Sequence, residues 1–274
     1  MGRLTSAMAT IAAEPPFRLL TKFVLKHCWP SVETRALWDI SPRPAYLLGL
    51  MRGAREAKNE GIRAIAVAEF GVAGGRGLVI LQTEAEAVER ETGIEILVYG
   101  FDMGASGLPE LIGDHRDQPE RWKTGDYPMD EELLRSRLTS RTTLILGNVA
   151  QTASEFFARH HPPHLGFVAF DMDLYSSTMA GFQIFTDPNR KMLIHCPLYF
   201  DDLGSFTYHR FAGELLAIDE FNAADDEVKI DVWAGVRDYR PFYGAGYLGN
   251  MYVAHDLTAA VRAQPRPEIN VLPL

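Results

Sequence analysis

The hydrophobic pattern of this chain changes period many times. From Phe17 to His27 the spacing is helical, with Phe17, Leu20, Phe23 and Val24 on one face and Arg18, Lys22 and Lys26 elsewhere. Such a segment docks on a domain through its apolar face, or serves as a lid or a membrane-surface helix. Pro30 and the Pro42-x-Pro44 pair punctuate the next stretch. Residues 44–59 then read as a helix carrying Tyr46, Leu47, Leu50, Met51 and Ala54 on one side. Beyond it, short apolar runs at 62–70, 94–102, 142–146, 166–171 and within 192–202 predict buried parallel strands. Helical patterns at 78–92, 129–138, 153–160, 176–185 and 211–222 alternate with them. Residues 228–233 and 250–255 can close the set as two more strands. Strands alternating with helices predict an α/β fold, a mostly parallel seven-stranded sheet with helices on both faces.

Composition narrows this only in part. At roughly 100–200 residues per domain, 274 residues make one large domain or two small ones. The chain has no internal linker, repeat or low-complexity stretch, so it divides into a leader with its helix (1–43) and a single α/β domain (44–274). With 47% apolar and 23% charged residues it can build a full core. No apolar stretch nears the ~18 residues of a membrane span. Acids outnumber bases by 36 to 27, and no basic block occurs, so nucleic acid is not an expected partner. Cys28 and Cys196 form no Cys-x-x-Cys pair, which points to a reducing, cytoplasmic setting. Residues 1–16 lack the apolar core of a signal peptide, and Gly2 with Ser6 matches a myristoylation pattern that short sequences hit by chance.

The chemistry gathers where the predicted strands end. The first strand runs into Glu69-Phe70-Gly71-Val72-Ala73-Gly74-Gly75-Arg76-Gly77. Glycines at a strand-to-helix turn let the backbone approach a ligand closely. Neither the dinucleotide spacing Gly-x-Gly-x-x-Gly nor a Gly-Lys-Ser/Thr phosphate loop is present. The pattern that fits is acid-x-Gly-x-x-x-Gly-x-Gly, on Glu69, Gly71, Gly75 and Gly77. The second strand ends at Asp102, where doubly wound sheets place an acid for ribose hydroxyls. Asp171 and the Asp201-Asp202 pair close two further strands. Carboxylates crowded at one sheet edge repel each other unless a cation joins them, and Mg²⁺ is the oxygen-loving choice.

The acid-glycine loop looks like motif I of class I S-adenosylmethionine-dependent methyltransferases. Further segments resemble one group of them, the macrocin O-methyltransferase family, which methylates sugars of macrolide and aminocoumarin antibiotics. Phe101-Asp102 followed by Gly107-Leu108-Pro109-Glu110 is similar to that family's FDxxxGLPE stretch, with one extra residue. Residues 147–152 (GNVAQT) resemble its Gly-x-x-x-x-Thr turn, and residues 171–178 (DMDLYSST) its Asp-x-Asp-Leu-Tyr-x-Ser-Thr motif. Asp201-Asp202 and the helix from Gly213 to Phe221 resemble its later elements, so the likeness spans roughly residues 44–256.

The resemblance implies a Rossmann-like class I methyltransferase fold with S-adenosylmethionine as cofactor and Mg²⁺ as helper. By position, the cofactor residues are Glu69, Gly71, Val72, Gly75, Gly77, Asp102, Met103 and Asp171, and the metal ligands are Asp171, Asp201 and Asp202. The implied reaction is methyl transfer to a hydroxyl of a small molecule, a sugar or glycosylated natural product. Asp173 is a candidate base that could equally cap the helix near Ser176, and His209, near Asp202 in sequence, is a second candidate. His160, His161 and His164 read as a solvated loop, and His195 as a core or edge residue. The aromatic run Trp233, Tyr239, Phe242, Tyr243 and Tyr247 reads as packing or as an acceptor-binding flap. The segment between Asp171 and Asp201 spans 30 positions, a little longer than the family's, and an altered loop there could displace the Asp-Asp pair. Two alternatives stay open: a metal-independent methyltransferase, and a non-catalytic binding protein of the same fold. The acceptor and the oligomeric state, a homo-oligomer included, are left open as well.

Overall fold

Five of the apolar runs become parallel strands at the centre of the computed structural model: β1 (Ala64–Phe70), β2 (Glu95–Asp102), β3 (Thr142–Leu146), β4 (His164–Phe170) and β5 (His195–Phe200). The structure describes residues 17–28, 30–203 and 209–259, with Met8, Ile11, Glu14 and Pro15 besides. The myristoylation-like positions Gly2 and Ser6 lie outside these residues, as does the tail 260–274. Strands β6 (Val228–Val232) and β7 (Met251–Asp256) complete a seven-stranded sheet of order β3-β2-β1-β4-β5-β7-β6. β7 runs antiparallel to both β5 and β6, so the sheet is mixed at that edge. Chain order reverses between β1 and β4, the kind of switch point where open α/β sheets bind ligands.

Alternate residues of the central strands feed two cores. Ile65 and Val67 of β1 pack under α3 (Pro44–Asn59) and α4 (Arg76–Thr92), counting α1 as Phe17–His27 and α2 as Val32–Leu37. Ala66, Ala68 and Phe70 face the other way. There they meet aromatic residues of α7 (Phe156–His160), α8 (Tyr175–Gly181), α9 (Gln183–Thr186) and α10 (Gly213–Ala224). Both strand faces are thus covered, which is why these strands read as continuous apolar runs rather than alternating ones.

Several predicted helices are shorter or divided. Residues 129–138 hold only α5 (Glu131–Arg135), which Asp130 caps by accepting the Leu133 N–H. Residues 153–160 belong to two helices, α6 (Val149–Ser154) and α7, because Asn148 caps a start at Val149. Residues 176–185 divide into α8 and α9 at Phe182. His164 is the first residue of β4, paired with Ile65, and is not in a loop. His160 packs edge-on to Tyr99 at 6.2 Å between ring centres.

The α1 helix forms over the expected residues, but its apolar face does not dock. Phe17, Leu20, Phe23 and Val24 are 49–63% exposed. Contact with the domain comes from the basic side instead. Arg18 Nη1 donates to the Pro241 carbonyl at 3.4 Å, and Lys22 Nζ lies 4.7 Å from the centre of the Phe242 ring. No helix among the described residues is long and apolar enough to cross a membrane.

Candidate active site

Four strand ends share one arrangement, an aromatic residue beside an acid: Glu69-Phe70, Phe101-Asp102, Phe170-Asp171 and Phe200-Asp201. The phenylalanines are register partners across β2, β1, β4 and β5. Their rings stack at 4.3, 5.2 and 5.1 Å between centres. Such cross-strand aromatic pairs hold register. The ladder therefore levels four strand ends and delivers their acids to one edge of the sheet.

Asp171, Asp201 and Asp202 each present an oxygen within 4.8 Å of the others. The segment between Asp171 and Asp201 leaves them together, and before β5 it turns where the Asn189 N–H donates to Asp187 Oδ1 and Met192 bridges to Leu165. Tyr199 donates its hydroxyl to Asp201 Oδ1 at 2.5 Å. The Asp202 N–H donates to Glu214 Oε2 at 3.0 Å, and Glu214 Oε1 is buried with no hydrogen-bond partner. Burial pushes the Asp171 carboxyl up to about 7, Asp201 and Asp202 add to the shift, and Arg43 opposes it. Asp173 and Asp202 are also raised, first by burial and then by their acidic neighbours. A concentrated set of oxygen donors with an orphaned buried carboxylate oxygen fits a hard divalent cation.

The glycine loop closes over the same edge. Gly71 has φ +85°, and a Cβ there would lie 1.7 Å from the Asp171 carbonyl oxygen. A Cβ on Gly77 would lie 1.9 Å from Glu69 Oε1. Val72 is buried, and Gly75 begins α4 with no side-chain cap. Glu69 is buried, accepts the Tyr46 hydroxyl on Oε1, and leaves Oε2 without a partner. Burial lifts its carboxyl to about 8, against the pull of Tyr46 and Arg43. Asp102 serves the loop before any ligand. Its Oδ2 accepts the N–H groups of Val72 and Ala73, and its Oδ1 accepts that of Gly104. Only Oδ1 keeps acceptor capacity to spare. A cavity of about 260 Å³ opens beside these groups, lined by Gly71, Asp102, Met103, Asn148, Asp171 and Asp173 among others.

The two candidate bases separate. Asp173 lines the cavity at φ +61°, with its N–H donating to Asp202 Oδ2 at 3.2 Å. It does not cap the helix after it. Asp117 does, from 59 residues upstream, accepting both the N–H and the hydroxyl of Ser176. His209 is exposed, and its Nδ1 accepts the Phe211 N–H at 3.1 Å. Among the described residues its ring meets Phe211 and not the aspartates.

Three functional neighbours escape a reading of the sequence. Arg43, at the end of the predicted leader, places Nη2 3.3 Å from Asp171 Oδ2 and Nη1 3.5 Å from Glu69 Oε1. Tyr46 reads as core for its apolar ring, yet its hydroxyl reaches Glu69. Glu214 sits in the first turn of α10, where acids are ordinarily solvated, but it is buried. The one signal for Arg43 is a lone cation set between two prolines ahead of an apolar helix.

No protein-family model matches the chain, and no curated protein does. Solved structures do match. They share the fold of the seven-stranded sheet with its covering helices. CalS11, a calicheamicin methyltransferase, is 18% identical, aligns over 93% of this chain and 91% of its own, and gives a TM-score of 0.52. The O-methyltransferase NovP is 20% identical over 67% of this chain and 74% of its own, with a TM-score of 0.48. At such identities the likeness is one of fold.

Proposed function

We propose that this chain is an S-adenosylmethionine-dependent O-methyltransferase. It would move a methyl group to a hydroxyl of a small molecule, a sugar or a glycosylated natural product, with Mg²⁺ assisting, in the cytoplasm. One observation carries the reading. On a methyltransferase-like fold, the glycine loop and the strand-end acids Asp102 and Asp171 line a single cavity, and Asp201 and Asp202 stand beside Asp171.

S-adenosylmethionine supplies an already activated methyl on a sulfonium, so the protein's task is largely alignment. The unpartnered Glu69 Oε2 suits the amino group of such a donor, and Gly71 and Gly77 let the loop pack closely on Asp171 and Glu69. Asp102 holds the loop open and keeps one lone pair for a hydroxyl. Asp171, Asp201 and Asp202 would hold the cation, which supplies positive charge that lowers the pKa of an acceptor hydroxyl. Asp173, on the cavity wall, would accept the hydroxyl proton as the oxygen takes the methyl. A metal-independent transfer is the second reading, favoured by Arg43, which already brings positive charge to Asp171.

The test begins with a thermal melt in S-adenosylhomocysteine. At a hundredfold excess over its dissociation constant the ligand adds roughly 2.7 kcal/mol, a Tm rise on the order of 5–10 °C. Transfer of labelled methyl to a panel of hydroxylated acceptors comes next, with Mg²⁺ and with EDTA. Activity lost in EDTA and restored by Mg²⁺ supports the first reading, and activity indifferent to EDTA supports the second. A melt unmoved at millimolar ligand would sink both.

A further inference from the structure

We infer that Tyr127 is the platform on which the acceptor's sugar ring lies, in a subsite whose acids admit a neutral or amine-bearing sugar and turn away an anionic one. The inference rests on the proposed methyl transfer to a sugar hydroxyl, and adds what that sugar can carry. Tyr127 lines the cavity together with Asp171 and Asp173. It is 51% exposed. Its ring meets that of Trp122, tilted by 59° with 6.2 Å between centres. Much of the ring surface is therefore left open at the cavity wall.

The backbone holds the ring there under strain. Tyr127 has φ +59°, a left-handed conformation that bulky residues rarely adopt. Anchors on both sides fix it. Before it, the Gly125 N–H donates to the Leu108 carbonyl at 2.9 Å, and the Leu108 N–H to the Asp126 carbonyl at 2.7 Å. After it, the Met129 N–H donates to the Gly104 carbonyl at 3.2 Å, and Met129 is buried. A half-exposed ring offsets little of that strain by packing. Outliers of this kind collect where a ligand needs the side chain. A tyrosine suits the task, being an apolar ring with a polar tip. A pyranose presents a face of C–H groups that packs on such a ring. The Tyr127 hydroxyl lies in the field of Asp173, Asp126, Asp202 and Asp171, and burial together with those acids holds its proton above the usual phenol range. A sugar on the ring thus sits beside the acids proposed to activate its hydroxyl.

Charge decides which sugar fits. Asp102, Glu110, Asp126, Asp171 and Asp173 line the cavity, and among the described residues no lysine, arginine or histidine does. Arg43 stands against Asp171 from outside that lining, and Arg116 is engaged by Asp114 at 2.8 Å. A divalent cation on Asp171, Asp201 and Asp202 would set two positive charges against three carboxylates, so the edge stays negative. A phosphate or carboxylate on the sugar would face like charge there, which opposes binding strongly. An amine would be attracted. A sugar still joined to a nucleoside diphosphate is therefore a poor acceptor. A glycosyl transfer supplies the substrate instead: an aglycone hydroxyl loses its proton and bonds to the anomeric carbon as the nucleoside diphosphate departs. Methylation follows that step.

Saturation-transfer NMR of the full chain, loaded with S-adenosylhomocysteine and Mg²⁺, tests this. The probes are methyl glucoside, methyl glucosaminide, methyl glucuronide and UDP-glucose. The glucoside and the glucosaminide are expected to bind, and the glucuronide and UDP-glucose at least about 10-fold more weakly. Tyr127→Ala should weaken the glucoside roughly 3–10-fold, the scale of one aromatic contact, and Tyr127→Phe should keep it within about 3-fold of the wild type. Both variants should bind S-adenosylhomocysteine within about 3-fold of the wild type, which also shows that they fold. Anionic probes bound as tightly as the glucoside overturn the inference. So does Tyr127→Ala leaving the glucoside unchanged, or weakening S-adenosylhomocysteine as much as the sugar. Binding of S-adenosylhomocysteine but of none of the four probes overturns the inference and leaves the methyl-donor reading standing. A wild type that fails to bind S-adenosylhomocysteine overturns that reading, and this inference with it.

Discussion

At Gly77 one added carbon would collide with a buried acid. That Cβ would fall 1.9 Å from Glu69 Oε1, and Glu69 is buried and cannot swing into water. Gly77→Ala must therefore push the loop or the carboxylate aside, at a cost of roughly 1–3 kcal/mol. Calorimetry should record a lower Tm, and titration a weaker fit for S-adenosylhomocysteine. A variant that melts and binds as the wild type does would mean that Glu69 and the loop are not packed this way. The loop was legible in the sequence because its constraint is local, an acid and four glycines within nine residues. Arg43 was not, since its partner Asp171 lies 128 residues away and only its place between two prolines marks it. Glu214 was hidden for a different reason. Helical spacing says which face is apolar, but an acid in the first turn is expected to point outward, toward solvent.

At the level of elements, the long loop between β6 and β7 is fastened to the segment after α2. Arg240 Nη2 donates to the Ala36 carbonyl and to Asp39 Oδ1, and Tyr247 donates to the same Asp39 oxygen. Arg240 and Asp39 are nearly inaccessible, at 7% and 6% of their side-chain surface. Removing one partner of a buried pair strands the other, so Asp39→Ala should cost about 3–5 kcal/mol in urea unfolding. Asp39→Asn should cost less, because it keeps a hydrogen-bond acceptor and tolerates the φ of +55° found there. Equal and small losses for both would show that the pair contributes little. This contact explains why the aromatic run resisted a sequence reading. Phe242 and Tyr247 are committed to the N-terminal segment, while Tyr239 is fully exposed, a division no periodicity encodes. Strands fared better than helices for a related reason. Two-sided burial writes itself into a strand as an unbroken apolar run, whereas the division of α8 from α9 at Phe182 is set by packing against Phe170 and Phe221.

For the whole molecule the acids at the sheet edge set how stability responds to pH. Glu69 and Asp171 hold their protons to about 8 and about 7, and burial raises Asp173, Asp202 and Glu214 as well. In the unfolded chain these groups titrate near ordinary carboxylate values of about 4. Between those limits the folded state binds more protons than the unfolded one, so unfolding free energy falls as pH rises. The metal-free protein should lose Tm progressively from about pH 5 to about pH 8, with EDTA present to keep the site empty. A cation at Asp171, Asp201 and Asp202 competes with those protons, and it binds the charged carboxylates only. Millimolar Mg²⁺ should therefore raise Tm more at about pH 8 than at about pH 5.5, flattening the slope. A slope that stays steep with Mg²⁺ present would mean that no cation is held there. In that case the positive charge of Arg43 would be what the acids have, and the metal-independent reading would take precedence. A Tm flat across this range even in EDTA would show instead that the carboxylates are not buried together as described.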